Sequence, residues 1–268
     1  MTRSAHRTRR SRRLAGAGAV AVLTLGGCSA SGPDASRDAA SDGPTGTVTV
    51  FAAASLQESF TTLGERFEKD HPGTEVTFNF GGSDALAAGI DNGAPADVFA
   101  AASAKTMALV ADRGRTAGSP STFARNRLQI ATVPGNPHGI DSLGDLTASG
   151  LKVVLCDATV PCGAAARTAL KAAGVGLTPV SYEQDVKSAL TKVELKEADA
   201  AVVYRTDVRA AGDKVEGVEF PESAEAVNDC PIALLDDAPN PSAAKAFMAL
   251  VKSPEGRKVL DDAGFLRP

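Results

Sequence analysis

Two serines stand where a strand-like pattern changes to a helical one. Ser55 follows the strand-like run 47–51 and precedes apolar residues at helical spacing, and Ser83 follows the run 75–80 through a Gly-Gly pair. A turn of this kind offers free backbone N–H groups and a side-chain hydroxyl at one place, and glycines allow a ligand to approach the backbone closely. Both serines are therefore candidate anion cradles, although an ordinary helix N-cap is the alternative for Ser55.

Two later segments offer similar donors. Cys162 follows Pro161, a residue suited to the first position of a helix, so the N–H of Cys162 would be free to bind. Val186 follows Asp185 at the start of an apolar helical pattern, and Tyr204 ends a buried-looking strand. The alternative roles are a purely structural disulfide for Cys162, an ordinary helix cap for Asp185 and a position in the core for Tyr204.

Enzymatic use of these residues is not favoured. The segment around Ser83 misses the Gly-x-Ser-x-Gly pattern because Ala85 holds the last position, and a serine or cysteine nucleophile also needs a general base. Beyond the N-terminal segment, the histidines are His71 and His138, each in a Pro/Gly turn context. Arg205 is a possible anion ligand, but a charged residue just past a strand end is more often solvated.

Three cysteines follow the N-terminal region. Cys156 and Cys162 are six positions apart across a turn, which predicts a disulfide in an exported protein. Metal binding is the rival, but the chain has no Cys-x-x-Cys and no histidine near them in sequence. Cys230 is then unpaired, and we interpret it as a buried thiol rather than a nucleophile.

The N-terminal sequence is typical of a targeting segment. Within residues 1–27, six arginines precede the apolar run 14–25, and Cys28 follows small residues, as in a bacterial lipoprotein signal. A transmembrane anchor is the alternative, but the run is too short to span a bilayer comfortably. The arginine pairs leave the export route open. Residues 28–46 are predicted to be a flexible tether, which would hold an extracytoplasmic protein to the cell membrane through a lipid on Cys28.

Charge excludes one large class of partner. Without residues 1–27 the chain keeps 22 basic and 32 acidic residues, a net charge of −10. Nucleic acid requires a basic face, so it is not an expected partner. An acidic protein that binds an anion must use local dipoles aimed at the ligand, because its overall field repels that ligand.

Strand and helix patterns alternate throughout, which predicts α/β architecture. The strand-like runs are 47–51, 75–80, 97–100, 128–133, 152–155, 200–204 and 231–235. We predict a first lobe from 47–125 plus 231–268 and a second lobe from 126–230, with a ligand cleft between them.

Four motifs together resemble a known family. They are Thr-Val-Phe-Ala-Ala-Ala-Ser-Leu at 49–56, Gly-Ala-Pro-Ala-Asp-Val-Phe at 93–99, Val-Pro-Cys-Gly at 160–163 and Ala-Asp-Ala-Ala-Val-Val-Tyr-Arg-Thr-Asp at 198–207. In this order and spacing they look like the molybdate-binding substrate-binding proteins of bacterial ABC importers. Each motif is weak alone, and the resemblance runs from about residue 47 to the C-terminus.

The resemblance implies a type II periplasmic-binding-protein fold and a tetrahedral dianion held by neutral hydrogen-bond donors. The implied ligand groups are in Ser55, Ser83, Cys162, Val186 and Tyr204, with no protein atom bonded directly to the metal. It also implies molybdate and tungstate as ligands, a membrane permease as partner and no cofactor; we expect a monomer. Sulfate or phosphate is the alternative ligand, and a cytoplasmic ligand-sensing regulator would need a helix-turn-helix and no signal peptide.

Two positions depart from the family pattern. The family often has alanine where this chain has Cys162, a change that a backbone contact tolerates. Asp84 follows Ser83 where a small neutral residue is common. An inward carboxylate there would repel a dianion, and we favour an outward residue stabilised by the helix dipole.

Overall fold

The computed structural model describes residues 43–268, so the signal segment, Cys28 and most of the tether lie outside the described residues. Two five-stranded sheets are packed with helices. The strands are β1 (Gly46–Ala53), β2 (Thr74–Gly81), β3 (Val98–Ala100), β4 (Ser121–Asn126), β5 (Leu128–Thr132), β6 (Val153–Cys156), β7 (Ser181–Glu183), β8 (Ala200–Tyr204), β9 (Glu216–Val218) and β10 (Asn228–Leu234). The α-helices are α1 (Gln57–Asp70), α2 (Ser83–Asp91), α3 (Ala104–Ala111), α4 (Pro161–Ala173), α5 (Val186–Glu194), α6 (Arg205–Ala211), α7 (Pro241–Lys252) and α8 (Pro254–Ala263).

The two sheets have related strand orders. The first is β2-β1-β3-β10-β4 and the second is β7-β6-β8-β5-β9. In the first, β1 pairs in parallel with β2 and β3, and β10 runs antiparallel to β3 and β4. In the second, β6 pairs in parallel with β7 and β8, and β5 runs antiparallel to β8 and β9. The predicted α/β class is therefore what the structure shows.

Seven of these strands coincide with the strand-like runs of the sequence, and three do not. The strands β7 and β9 have three residues each, and their burial is intermediate or exposed, so they carry no clear apolar signal. The strand β4 reads Ser-Thr-Phe-Ala-Arg-Asn, a mixed run without strict alternation. Their pairing with longer neighbours, rather than their own pattern, makes them strands.

The chain passes between the sheets twice, and the two crossings lie side by side. It leaves the first sheet after Asn126 and enters the second at Leu128, then returns between Val218 and Asn228. The return differs slightly from the predicted boundary, because residues 228–230 pair with β4 in the first sheet and a bulge follows at Cys230/Pro231. We call the part built on the first sheet the first lobe and the part built on the second sheet the second lobe.

Each lobe has its own apolar core. In the first lobe α1 buries Phe60, Leu63 and Phe67 completely, and the ring of Phe247 from α7 packs edge-on against both phenylalanines. In the second lobe α5 buries its predicted apolar face against the sheet. These helices therefore fix the turns at their N-termini. Within residues 43–268, no helix combines the length and apolar character needed to cross a membrane.

Candidate functional site

A small cavity lies between the lobes, at turns where strands of both sheets end and helices begin. Its volume is about 20 Å³. By the same measure, a cavity needs about 10–15 Å³ to hold one buried water. All five residues proposed from the sequence line it: Ser55, Ser83, Cys162, Val186 and Tyr204. On this scale the cavity has the volume of one or two water molecules.

The first lobe contributes two serine hydroxyls. Ser55 is 5% exposed and its Oγ has no hydrogen-bond partner in the described part of the chain. The Oγ of Ser83 accepts a hydrogen bond from the Ala102 N–H at 3.0 Å, which leaves the hydroxyl proton free to donate. A buried hydroxyl without a partner is destabilising by about 1–3 kcal/mol, so the Oγ of Ser55 is a candidate for contact with a ligand.

The second lobe contributes two helix N-termini. Cys162 is in the first turn of α4, where Pro161 begins the helix and the preceding residue gives no side-chain cap. Val186 begins α5, and the carboxylate of its N-cap, Asp185, accepts from the Ser188 N–H at 2.9 Å. The earlier N–H groups have no partner within their helices and carry the positive end of the helix dipole.

Close approach of the lobes depends on a glycine. Gly82 precedes α2 in the first lobe, and a Cβ added there would lie 2.6 Å from the backbone oxygen of Gln184 in the second lobe. That distance is shorter than real Cβ contacts, so any other residue would push the lobes apart. Gly82, the second glycine of the pair before Ser83, thus allows the close approach of the two lobes.

The fifth donor is the hydroxyl of Tyr204, a residue that is 1% exposed. Burial raises the pKa of this phenol well above its ordinary value, with the nearby Cys230 and Asp207 adding to the effect. Tyr204 therefore keeps its proton at neutral pH. Among the described residues, the recorded partner of its hydroxyl is the amide of Asn228, at 2.6 Å.

No positively charged residue is among the described residues that line the cavity, and Asp185 is the one charged residue there. Arg205 instead lies 4.0 Å from Glu219 and is outside the lining. Asp84 is half-buried and also outside the lining, although its Oδ1 is buried without a hydrogen bond in the described region. The site therefore offers hydroxyl and N–H donors in place of formal positive charge.

An ion-pair cluster near the cavity joins the two lobes, and the sequence patterns did not predict it. The Nζ of Lys187 on α5 lies 2.7 Å and 2.9 Å from the two carboxylate oxygens of Glu58 on α1. It also forms an ion pair with Oδ1 of Asp207, at 3.2 Å. The other oxygen of Asp207 accepts from the Tyr204 N–H at 3.1 Å. Helix α5 is thus tied to the first lobe beside the tyrosine donor.

Burial and charge act in opposite directions on the pKa values of Lys187 and Asp207. Burial alone would lower the pKa of Lys187, but the carboxylates of Asp207 and Glu58 outweigh it and raise that pKa. Complete burial raises the pKa of Asp207 to about 6, although Lys187 and the Tyr204 N–H oppose the shift. The lysine is therefore the cation that allows Asp207 to be ionised inside the protein.

The cysteines behave as the sequence predicts. Cys156 and Cys162 form a disulfide with their Cα atoms 5.8 Å apart, which links the end of β6 to the first turn of α4. Cys230 is free and buried. Burial raises its pKa to about 12, with the charge of Asp229 adding to the shift. A thiol of this kind is not a nucleophile at neutral pH.

No histidine lines the cavity in the described range; His71 follows α1 and His138 lies 3.4 Å from Asp199. The described residues also contain no cluster of His, Cys, Asp and Glu able to hold a metal ion. The described residues that line the cavity therefore do not form a nucleophile–base pair.

The family model for bacterial extracellular solute-binding proteins matches residues 48–266. The molybdate-binding protein ModA of Mycobacterium tuberculosis is 43% identical over 250 residues, which cover 93% of this chain and 95% of the relative. The chain belongs to the ModA family of extracellular solute-binding proteins. Its relatives bind solutes for transport and are not enzymes.

Solved structures agree on the fold of this solute-binding protein. The periplasmic molybdate-binding protein of Azotobacter vinelandii superposes with a TM-score of 0.73 at 22% identity, covering 82% of this chain and 99% of that one. The sulfate-binding protein SubI of M. tuberculosis superposes with a TM-score of 0.70 at 19% identity, covering 82% and 86%. The predicted periplasmic-binding-protein fold is confirmed by these likenesses.

Proposed function

We propose that this solute-binding protein captures molybdate outside the cytoplasm and delivers it to the permease of an ABC importer. The observation that carries the proposal is the set of donors around the cavity: three hydroxyls and two helix N-termini, with no cation among the described residues that line it. The identity of 43% with a protein named as molybdate-binding supports the same ligand. The ligand contacts proposed are the hydroxyls of Ser55, Ser83 and Tyr204 and the N–H groups of Cys162 and Val186.

An all-donor site favours a fully deprotonated anion. Molybdate carries no proton at neutral pH and offers only acceptor oxygens, so each donor finds a partner. A phosphate that keeps one proton needs an acceptor, and without one a buried polar group stays unpaired, which is destabilising by about 1–3 kcal/mol. Asp185 is the one carboxylate among the described residues that line the cavity, and each of its oxygens already accepts a hydrogen bond from Ser188.

Neutral donors also suit a chain of this charge. Hydrogen bonds to a charged acceptor are about twice as strong as those between neutral groups. The dipoles at the starts of α4 and α5 add positive potential at the site without a lysine or arginine. A dianion is therefore favoured locally, despite a net charge of −10 on residues 28–268.

We also propose which tetrahedral dianions this site binds. Tungstate has nearly the size and charge of molybdate, so hydrogen bonding separates the two poorly, and we propose that both bind. Sulfate is the second candidate because a sulfate-binding protein shares the fold. It is smaller, so its oxygens would reach fewer of the donors at once.

The protein is proposed to act at the membrane surface. Cys28 is the candidate lipid-attachment site, and 28–46 would be the tether between membrane and first lobe. Closure of the lobes on the anion would be the signal that the permease reads, since an open and a closed form present different surfaces. A monomer suffices, because both lobes of one chain line the cavity.

A ligand panel tests this proposal. A soluble form beginning near Thr45 is heated alone and with molybdate, tungstate, sulfate or phosphate. A ligand at 100 times its dissociation constant stabilises the folded state by about 2.7 kcal/mol, which for a protein of this size is roughly 5–10 °C in Tm. We expect this shift with molybdate and tungstate. A shift with sulfate or phosphate alone would overturn the ligand, and no shift with any of them would overturn the anion site.

The disulfide gives a second expected result. Replacing Cys156 and Cys162 by alanine should lower the free energy of unfolding by about 2 kcal/mol, because the bond closes a short loop in the unfolded chain. Molybdate affinity should change little, since the proposed contact at position 162 is a backbone N–H. Denaturant unfolding and calorimetric titration of the double variant measure the two quantities. A large loss of affinity in a folded variant would contradict the backbone contact.

A further inference from the structure

Asn228 lies at the point where the chain returns from the second lobe to the first. It begins β10 and pairs with Asn126, the last residue of β4 before the outward crossing. Its side-chain amide faces atoms of both lobes near the cavity. None of the sequence motifs included it.

Three oxygen atoms surround the Nδ2 atom of Asn228. The hydroxyl oxygen of Tyr204 lies at 2.6 Å, the backbone oxygen of Ala102 at 3.0 Å and that of Pro161 at 3.4 Å. Backbone carbonyl oxygens only accept hydrogen bonds, so the nitrogen and not the oxygen of the amide must point toward them. The two carbonyls therefore fix the orientation of the amide.

This orientation decides the direction of the tyrosine hydrogen bond. The Asn228 amide donates, so the oxygen of Tyr204 accepts, and the hydroxyl proton must point elsewhere. Tyr204 keeps that proton because its burial raises the phenol pKa. In residues 43–268 no protein acceptor is recorded for it, and the hydroxyl belongs to the cavity lining.

We infer that Asn228 is a positioning residue that holds the Tyr204 hydroxyl as a donor toward the bound anion. The inference rests on the proposed function and deepens it. Ala102 belongs to the first lobe, whereas Pro161 and Tyr204 belong to the second. The amide of Asn228 therefore contacts both lobes at the place where they meet.

A double-mutant cycle tests the inference. Molybdate affinity is measured by calorimetry for the wild type, Asn228→Ala, Tyr204→Phe and the double variant. Loss of the oriented hydrogen bond should weaken binding about tenfold in Asn228→Ala. In the Tyr204→Phe background, which has no hydroxyl to orient, the same change should weaken binding less than about twofold. Equal effects in both backgrounds would show a merely structural role and overturn the inference.

A second variant keeps the shape of the side chain. Asn228→Asp replaces the donor by an acceptor, so the Tyr204 proton would turn toward the carboxylate and away from the anion. We expect a larger loss than for Asn228→Ala, and a loss that shrinks when Tyr204 is also replaced by phenylalanine. A loss of the same size in both backgrounds would overturn the inference. Absence of molybdate binding in the wild type would instead overturn the proposed function.

Discussion

Replacing both Ser55 and Ser83 by alanine is expected to weaken molybdate binding by about 10²–10⁴-fold. Each change removes a hydrogen bond to a charged acceptor, and such a bond contributes about 1.5–3 kcal/mol. Every 1.4 kcal/mol corresponds to tenfold in affinity. Calorimetric titration of the double variant with molybdate gives this value directly.

The two serines should differ in their effect on the free protein. Ser55→Ala removes a hydroxyl that has no partner in the described part of the chain, so stability should be kept or slightly increased. Ser83→Ala leaves the Ala102 N–H without its acceptor and should reduce the free energy of unfolding by about 1–3 kcal/mol. A double variant that stays folded and binds as tightly as the wild type would contradict the site.

Ser59 provides a matched control. It is one helical turn beyond Ser55, is 4% exposed and donates its hydroxyl to the Leu56 oxygen at 3.1 Å. It does not line the cavity. Ser59→Ala thus removes a buried serine hydroxyl of the same lobe and should leave molybdate affinity unchanged.

Replacing Lys187 by methionine is expected to lower the free energy of unfolding by about 3–5 kcal/mol near pH 8. The change leaves Asp207, which is fully buried, without its cation, and an unpaired buried charge is destabilising by that amount. Denaturant unfolding at two pH values measures the effect. Glu58 is about half exposed, and Glu58→Gln, the matched control, should change stability by at most about 1 kcal/mol.

The effect of Lys187→Met should depend on pH. The pKa of Asp207 is raised in the folded wild type to about 6, so the folded state binds this proton more tightly than the unfolded chain. The carboxyl of Asp207 therefore makes its full contribution to the free energy of unfolding at pH values below its ordinary pKa of 3.8. That contribution is lost as the pH rises through about 6. Without the lysine the folded pKa rises further, and the loss extends to higher pH.

The Lys187→Met variant should accordingly be nearer the wild type at pH 5 than at pH 8. Adding Asp207→Asn, which removes the charge but keeps an acceptor for the Tyr204 N–H, should restore most of the stability at pH 8. An equal loss at both pH values, with no rescue by Asp207→Asn, would contradict the account of this cluster.

The proposed binding residues could be found in the sequence because each lies where one local pattern, a strand or a turn, changes to the next. Ser55 and Ser83 stand at strand-to-helix turns, and Cys162 and Val186 stand where helices begin. Their roles as ligands remain proposals, but their common location could be predicted from the order of strands and helices. The Cys156–Cys162 disulfide was also predictable, because its two cysteines are near each other in the chain.

Residues that act through distant contacts could not be predicted in this way. Asn228 touches Ala102 from 126 positions away, and Lys187 meets Glu58 from 129 positions away. Neither residue lies in a motif. From the sequence alone, Lys187 would be interpreted as an exposed lysine and Asn228 as an ordinary asparagine at the end of a strand. A weak local signal existed for Glu58 and Asp207, each an acidic residue in the first turn of its helix.

Anomalous diffraction at the molybdenum absorption edge tests most directly whether molybdate binds in the cavity between the lobes. Crystals of the soluble form grown with molybdate should give one strong anomalous peak, surrounded by the Ser55, Ser83 and Tyr204 hydroxyls and the N-termini of α4 and α5. A peak elsewhere on the protein, or an empty cavity in crystals saturated with molybdate, would contradict the account.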